Sequence, residues 1–243
     1  MLGAERRTLI LENLRETGSV RVSALAEALK VDPVTIRRDL NRLEETGQIQ
    51  RVHGGAILRE AQPAFKPASE LARRIGEAAA RFIPGGSVVF FAPGEFTQEA
   101  IPFLGEEKQL TIITNALDVG WRVAQSNRHT LHLIGGQVEE DYAILGNLAD
   151  QPNLLADWVV VEASGLDAEN GLTHDDVRYA GMARALFDLG AQTMVLLSPQ
   201  KVGRAGAVFV TPAMDVDVLI TGREASNAPL WDLSEAGVRI VLT

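Results

Sequence analysis

The chain contains no cysteine, and its 243 residues include only two tyrosines and four histidines. The first absence excludes a disulfide framework, a thiolate nucleophile and cysteine-ligated zinc. His129, His132 and His174 lack a paired ligand spacing, so a histidine metal centre has no basis either. No apolar run approaches the roughly 18 to 20 residues that span a bilayer. The N-terminus carries no secretory pattern, and the expectation is a cytoplasmic protein that meets no membrane. Positive charge is scarce: the formal net charge is −9, which in one undivided domain would argue against nucleic acid. Nucleotide signatures are missing as well. The Gly-Gly pairs have neither GxGxxG spacing nor a following Gly-Lys-Ser/Thr, and no cofactor is implied.

The charge is unevenly placed, however. Residues 1–60 hold 10 Lys and Arg against 9 Asp and Glu, whereas residues 61–243 hold 13 against 23. Affinity for a phosphate backbone depends on local contacts, so an acidic total leaves the first part free to bind DNA. Its densest stretch is residues 32–55, DPVTIRRDLNRLEETGQIQRVHGG. Asp32 can cap a helix N-terminus, and Pro33 then sits at the first helical position, where its missing N–H costs nothing. Ile36, Leu40 and Leu43 form one narrow apolar stripe at about 100° per residue. On the far side lie Val34, Thr35, Arg37, Arg38, Asn41 and Arg42, side chains suited to phosphates or base edges.

Upstream, Glu5 to Thr17 reads as a first helix with Leu9, Ile10, Leu11 and Leu14, stopped by Gly18. Ser23 is placed to cap a second helix, Ala24 to Lys30, and the pair predicts a helix-turn-helix. After Gly47 the alternation of Ile49 and Val52 with Gln48, Gln50 and Arg51 predicts a strand. His53-Gly54-Gly55 then reads as a turn before Ala56 to Leu58, which gives a two-stranded wing. Arg51 and His53 are candidates for backbone phosphate contact.

These residues resemble DeoR-type bacterial transcriptional regulators, through Thr35-Ile36-Arg37-Arg38-Asp39-Leu40, Arg51-Val52-His53-Gly54-Gly55-Ala56, and Arg6 and Arg7. Asp32 departs from the Ser or Thr usual in that family, but a carboxylate performs the same capping and suits the helix dipole. Asp39 projects close to the apolar stripe, so it is expected to pair with an arginine of the first helix or the wing and not to touch DNA.

The organisation read from the chain is a winged helix-turn-helix over 1–57, a linker over 58–70 punctuated by Pro63 and Pro67, and an α/β domain over 71–243. In the last, a helix near Leu71 to Phe82 precedes apolar runs at Ser87 to Phe91, Leu110 to Thr114, Thr130 to Ile134, Trp158 to Val161, Thr193 to Leu197 and Val216 to Ile220. A final run, Val238 to Leu242, could add an edge strand. Strands alternating with helical periods predict a mostly parallel sheet. Ligands of such sheets bind beyond the carboxyl ends of strands. That rule selects Gly94, Glu95, Phe96, Thr97, Thr114, Asn115, Gly135, Gly136, Lys201 and Arg204 as candidate effector contacts, although ordinary strand-to-helix turns use the same residue types.

The same resemblance runs on through Thr114-Asn115, Leu133-Ile134-Gly135-Gly136, Leu145-Gly146, Gly171-Leu172-Thr173 and Lys201-x-Gly203-Arg204. It implies a sensor domain similar in fold to sugar-phosphate isomerases, which binds a sugar phosphate or related metabolite and thereby weakens the grip on DNA. Polar positions of that family are replaced here. Ala92 stands where an Asp is usual, only Thr97 remains of the threonines after the loop glycine, Glu-x-Lys becomes Gly181-Met182-Ala183, and Ser198 replaces an Asp. Each lost partner of a buried polar ligand costs on the order of 1 to 3 kcal/mol, so an altered ligand or none is expected. Glu95 would repel a phosphate and could instead recognise a hydroxyl or amine.

The expectation is therefore a DNA-binding regulator, a repressor acting as a homo-oligomer on double-stranded DNA. The alternative is a regulator whose second domain is a ligand-free oligomerisation platform. An isomerase-like enzyme is disfavoured because Ala92, Gly181 and Ala183 vacate the acid-base positions, while Asp167, Asp175 and Asp176 read as solvated turn residues.

Overall fold

The computed structural model describes residues 3–46, 48–58, 68–139, 143–145, 155–189 and 191–243. Gly47, residues 59–67 of the expected linker, and Gly146 lie outside them. The chain divides into two compact units, Met1–Ala64 and Phe65–Thr243.

In the first unit, α1 (Gly3–Thr17) stops where Gly18 takes φ +72° and donates its N–H to Leu14 O at 2.8 Å. A strand that the periodicity did not reveal, β1 (Ser19–Arg21), follows, and α2 (Val22–Leu29) begins directly after it. Ser23 is therefore not the cap: the helix starts two residues earlier than expected, Arg21 caps without a side-chain bond, and Val22 N–H is satisfied by Gly54 O at 2.9 Å. The third helix, α3 (Pro33–Glu45), starts as expected, with Val34 N–H donated to Asp32 Oδ1 at 2.6 Å. Ile36, Leu40 and Leu43 of α3 pack with Ile10 and Leu14 of α1 and Leu25 of α2 in one core. The wing, β2 (Ile49–Val52) and β3 (Gly55–Leu58), pairs antiparallel, and β1 joins β3 on its other side.

The second unit opens with α4 (Glu70–Phe82), capped by Ser69 Oγ on Ala72 N–H at 3.1 Å. Its sheet strands are β4 (Val88–Phe91), β5 (Thr111–Thr114), β6 (Thr130–Leu133), β9 (Trp158–Glu162), β12 (Gln192–Leu196), β14 (Val218–Thr221) and β15 (Arg239–Leu242), and every pairing is parallel. Across the sheet the order is β15-β14-β12-β9-β4-β5-β6. The chain thus builds outward from β4 in one direction and from β9 in the other.

Both faces are covered, which is why the strands read as continuous apolar runs. Phe90, Val159, Val161, Val195 and Leu219 face a core that includes Ala180, Ala183 and Leu186 of α7 (Val177–Phe187) and Leu230 and Leu233 of α8 (Asn227–Glu235). Val89, Phe91, Ile112, Val160, Met194 and Ile220 face the opposite core with α4, α5 (Glu95–Ala100) and α6 (Leu117–Ser126). Two small antiparallel additions were not expected: β7 (Gln137–Val138) with β8 (Ile144–Leu145), and a sheet of β10 (Gly165–Asp167), β11 (Gly171–His174) and β13 (Val208–Thr211).

Candidate functional site

On α3, burial of Ile36, Asp39, Leu40 and Leu43 turns Val34, Arg37, Arg38, Asn41 and Arg42 outward, with Thr35 half-buried between the two faces. Among the described residues no ion pair engages Arg37, Arg38 or Arg42, so three guanidinium groups stand on one exposed helix face. Asp39 is 4% exposed and accepts from Arg6 Nε at 2.5 Å, with Arg7 Nη1 at 3.5 Å. The carboxylate thus ties α1 to α3 beneath the cationic face.

The wing is fastened to the same helix. Arg51 Nη1 donates to Asn41 Oδ1 at 2.5 Å, and Arg51 N–H donates to Glu44 Oε1 at 3.0 Å. Two candidate DNA contacts therefore hold each other in the free chain. His53 is exposed at the wing turn, where Gly54 takes φ +80°.

In the second unit the strand order reverses between β4 and β9, and a cavity of about 200 Å³ opens there. Ala92 and Pro93 reach it from the end of β4, Val161 to Ala163 from the end of β9, His174 from β11, Asp176, Tyr179, Met182 and Ala183 from the start and face of α7, and Lys201 from the turn after β12. Glu162 is the acid among them that the apolar run concealed. Its Oε1 accepts N–H bonds from Phe96 at 2.6 Å and Thr97 at 3.1 Å, the first turn of α5. Burial pushes its pKa up to about 7, against those two N–H bonds and the nearby Lys201 charge, which favour the anion. Lys201 Nζ donates to Ala163 O at 2.8 Å. His174 stacks on Tyr179 at 5.2 Å between centroids, and burial, then Lys201, holds its pKa down. Asp176 caps α7 through Arg178 N–H at 2.8 Å and pairs with the Arg178 side chain.

Of the ten residues selected beyond strand ends, Lys201 lines the cavity. Gly94, Phe96 and Thr97 form the backbone turn that meets Glu162, Phe96 with its ring in the core and Thr97 with its hydroxyl on Gly94 O at 2.9 Å. Glu95 does not face the cavity: its Oε1 accepts from Ser69 Oγ at 2.9 Å and lies near Ser69 N–H at 3.3 Å. Thr114 Oγ1 is consumed by Phe91 O at 2.7 Å and Ala116 N–H at 3.0 Å. Asn115 Nδ2 donates to Ile144 O at 3.0 Å and lies against Met182 Sδ, one residue removed from the cavity. Gly135 and Gly136 follow β6, the sheet edge, two strands or about 10 Å from β4. Arg204 is exposed and lies 4.0 Å from Asp175. His174 and Asp176, which the rule of strand ends did not select, also line the cavity, His174 from β11 and Asp176 from the N-cap of α7, where its side chain stays 35% exposed. No group of three or more His, Asp or Glu among the described residues is arranged to hold a metal ion.

Residues 6–62 match the model of the DeoR-like helix-turn-helix domain, and residues 68–223 match that of the DeoR C terminal sensor domain. The HTH-type transcriptional regulator UlaR of Shigella dysenteriae serotype 1 is similar at 29% identity over 255 aligned positions, covering 99% of each chain. Among solved structures, a transcriptional regulator from Streptococcus pneumoniae TIGR4 aligns at 14% identity and TM-score 0.40, over 68% of this chain and 86% of that one. Ribose 5-phosphate isomerase A from Methanocaldococcus jannaschii aligns at 16% identity and TM-score 0.39, over 54% of this chain and 53% of that one.

Proposed function

The chain belongs to the DeoR family of transcriptional regulators, and from that premise we propose that α3 enters the major groove of an operator while the cavity of the second unit receives a small metabolite. The protein is a regulator and not an enzyme. The observation that carries the reading is the unpaired cationic face of α3, where Arg37, Arg38 and Arg42 can reach guanine edges or phosphates with Thr35 and Asn41 between them. Arg51 and His53 on the wing contact the sugar-phosphate backbone, which sets register without reading sequence.

One winged helix covers a short site. Specific control therefore calls for a homo-oligomer, at least a dimer on repeated half-sites, acting in the cytoplasm as a repressor. Ligand entry beside β4 and β9 then changes the grip on DNA. The test is selection of genomic fragments by the full-length protein at physiological ionic strength, followed by titration of the best fragment against random duplex. A preference on the order of a thousandfold is expected. Equal retention of all fragments would refute the reading.

A further inference from the structure

Glu162 terminates β9 at the point where the strand order reverses, beside the turn that follows β4. Backbone N–H groups in such a turn serve elsewhere as donors to anionic ligands. Here they are taken from within: Phe96 and Thr97 N–H both bond Glu162 Oε1. The fit is close, since a Cβ at Gly94 would meet that same oxygen at 2.0 Å, so the glycine makes room for the carboxylate. The remaining charges leave little place for an anion. Asp176 adds a second carboxylate to the lining, and Lys201 already spends one hydrogen on Ala163 O.

We propose that Glu162 determines the specificity of this cavity: by occupying the two donors that a phosphoryl oxygen would need, it excludes phosphorylated ligands and selects a small uncharged polyol or sugar. A hydroxyl can donate to Glu162 and accept from Lys201, and the stacked His174 and Tyr179 rings offer a plate for the C–H face of such a molecule. The assignment deepens the sensor reading of the second unit and rests on it.

The experiment follows the amide resonances of Phe96 and Thr97 and the side chains of His174 and Tyr179 in the isotopically labelled full-length protein. Probes are inorganic phosphate, and glycerol, ribitol and sorbitol each beside its phosphate ester, at constant ionic strength. In the wild type, phosphate leaves both amides unmoved, at least one uncharged polyol gives saturable shifts, and its ester binds about tenfold more weakly or not at all. Glu162→Gly reverses that order and gives saturable phosphate shifts at both amides. Glu162→Gln, which keeps an oxygen on the donors, stays closed to phosphate.

Saturable phosphate shifts at Phe96 and Thr97 in the wild type would overturn the assignment, whether or not Glu162→Gly folds. So would an ester that binds more tightly than its parent, silence from all three polyols, or a folded Glu162→Gly that still ignores phosphate. Fragment selection on DNA is scored separately. Its failure would remove the regulator reading and leave these shifts to be judged alone, whereas ester binding would remove only the role of Glu162.

Discussion

Asp39 and Arg38 are neighbours in sequence with opposite surroundings, the first buried against Arg6 and the second exposed. Asp39→Ala leaves Arg6, only 12% exposed, without its partner and should destabilise the first unit by about 3 kcal/mol, read from denaturant unfolding. Arg38→Ala should leave the unfolding midpoint in place and weaken operator binding instead. If Arg38 meets phosphate, the salt slope falls by about 1; if it meets a base, the loss is sequence-selective. Unchanged affinity would remove Arg38 from the interface. The placement of Asp39 was legible because helical period alone puts it beside the buried stripe. Glu162 was not, because its neighbours in the run Trp158 to Val161 define a buried strand, and which atoms surround the residue at its end depends on contacts 65 and 66 positions away.

A pH experiment belongs to the same residue. The folded pKa of Glu162, about 7, lies above its ordinary value of 4.5, so its favourable contribution is complete below pH 4.5 and is lost as pH rises through 7. Glu162→Gln cannot ionise. Relative to that variant, the wild type should lose on the order of 3 kcal/mol of stability across this window. Lys201, Glu95 and His174, which bear on Glu162 or share its cavity, are present in both proteins and largely cancel in the difference. A flat difference would show that the carboxyl titrates normally.

At the level of elements, the wing depends on two adjacent glycines for different reasons. Gly54 needs its positive φ and has open space around it, so Gly54→Ala should cost about 1 kcal/mol. At Gly55 a Cβ would lie 2.0 Å from Val20 O, where β3 meets β1, and backbone cannot step aside as a flexible side chain can. Gly55→Ala should therefore be the more damaging change, lowering the unfolding midpoint and freeing the wing. Equal midpoints for the two variants would contradict the close packing. The two wing strands were readable from alternation and a glycine turn. β1 was not, since three residues carry too little pattern and its pairing is made by distant backbone; the same pairing moved the start of α2 ahead of Ser23.

Across the whole molecule, alternation of strands and helices revealed the parallel sheet, yet not which strands lie side by side. That order decides the candidate site. Residues after β4, β9 and β12 converge, while Gly135 and Gly136 after β6 are carried to the edge by the same topology. Charge is likewise divided: residues 61–243 carry a net −10 and residues 1–60 a net +1, so DNA affinity is expected to come from local arginines and to respond steeply to salt. Raising salt from about 50 to about 200 mM should reduce operator affinity by on the order of a thousandfold if about six phosphates are engaged. Salt-independent binding would exclude the arginine-led mode.

Ser69 joins these scales. Its hydroxyl caps α4 at 3.1 Å and reaches Glu95 at 2.9 Å, next to the amide of Phe96 that Glu162 holds. One hydroxyl thus clasps two helix beginnings, and removing it would unpin α4 and α5 together.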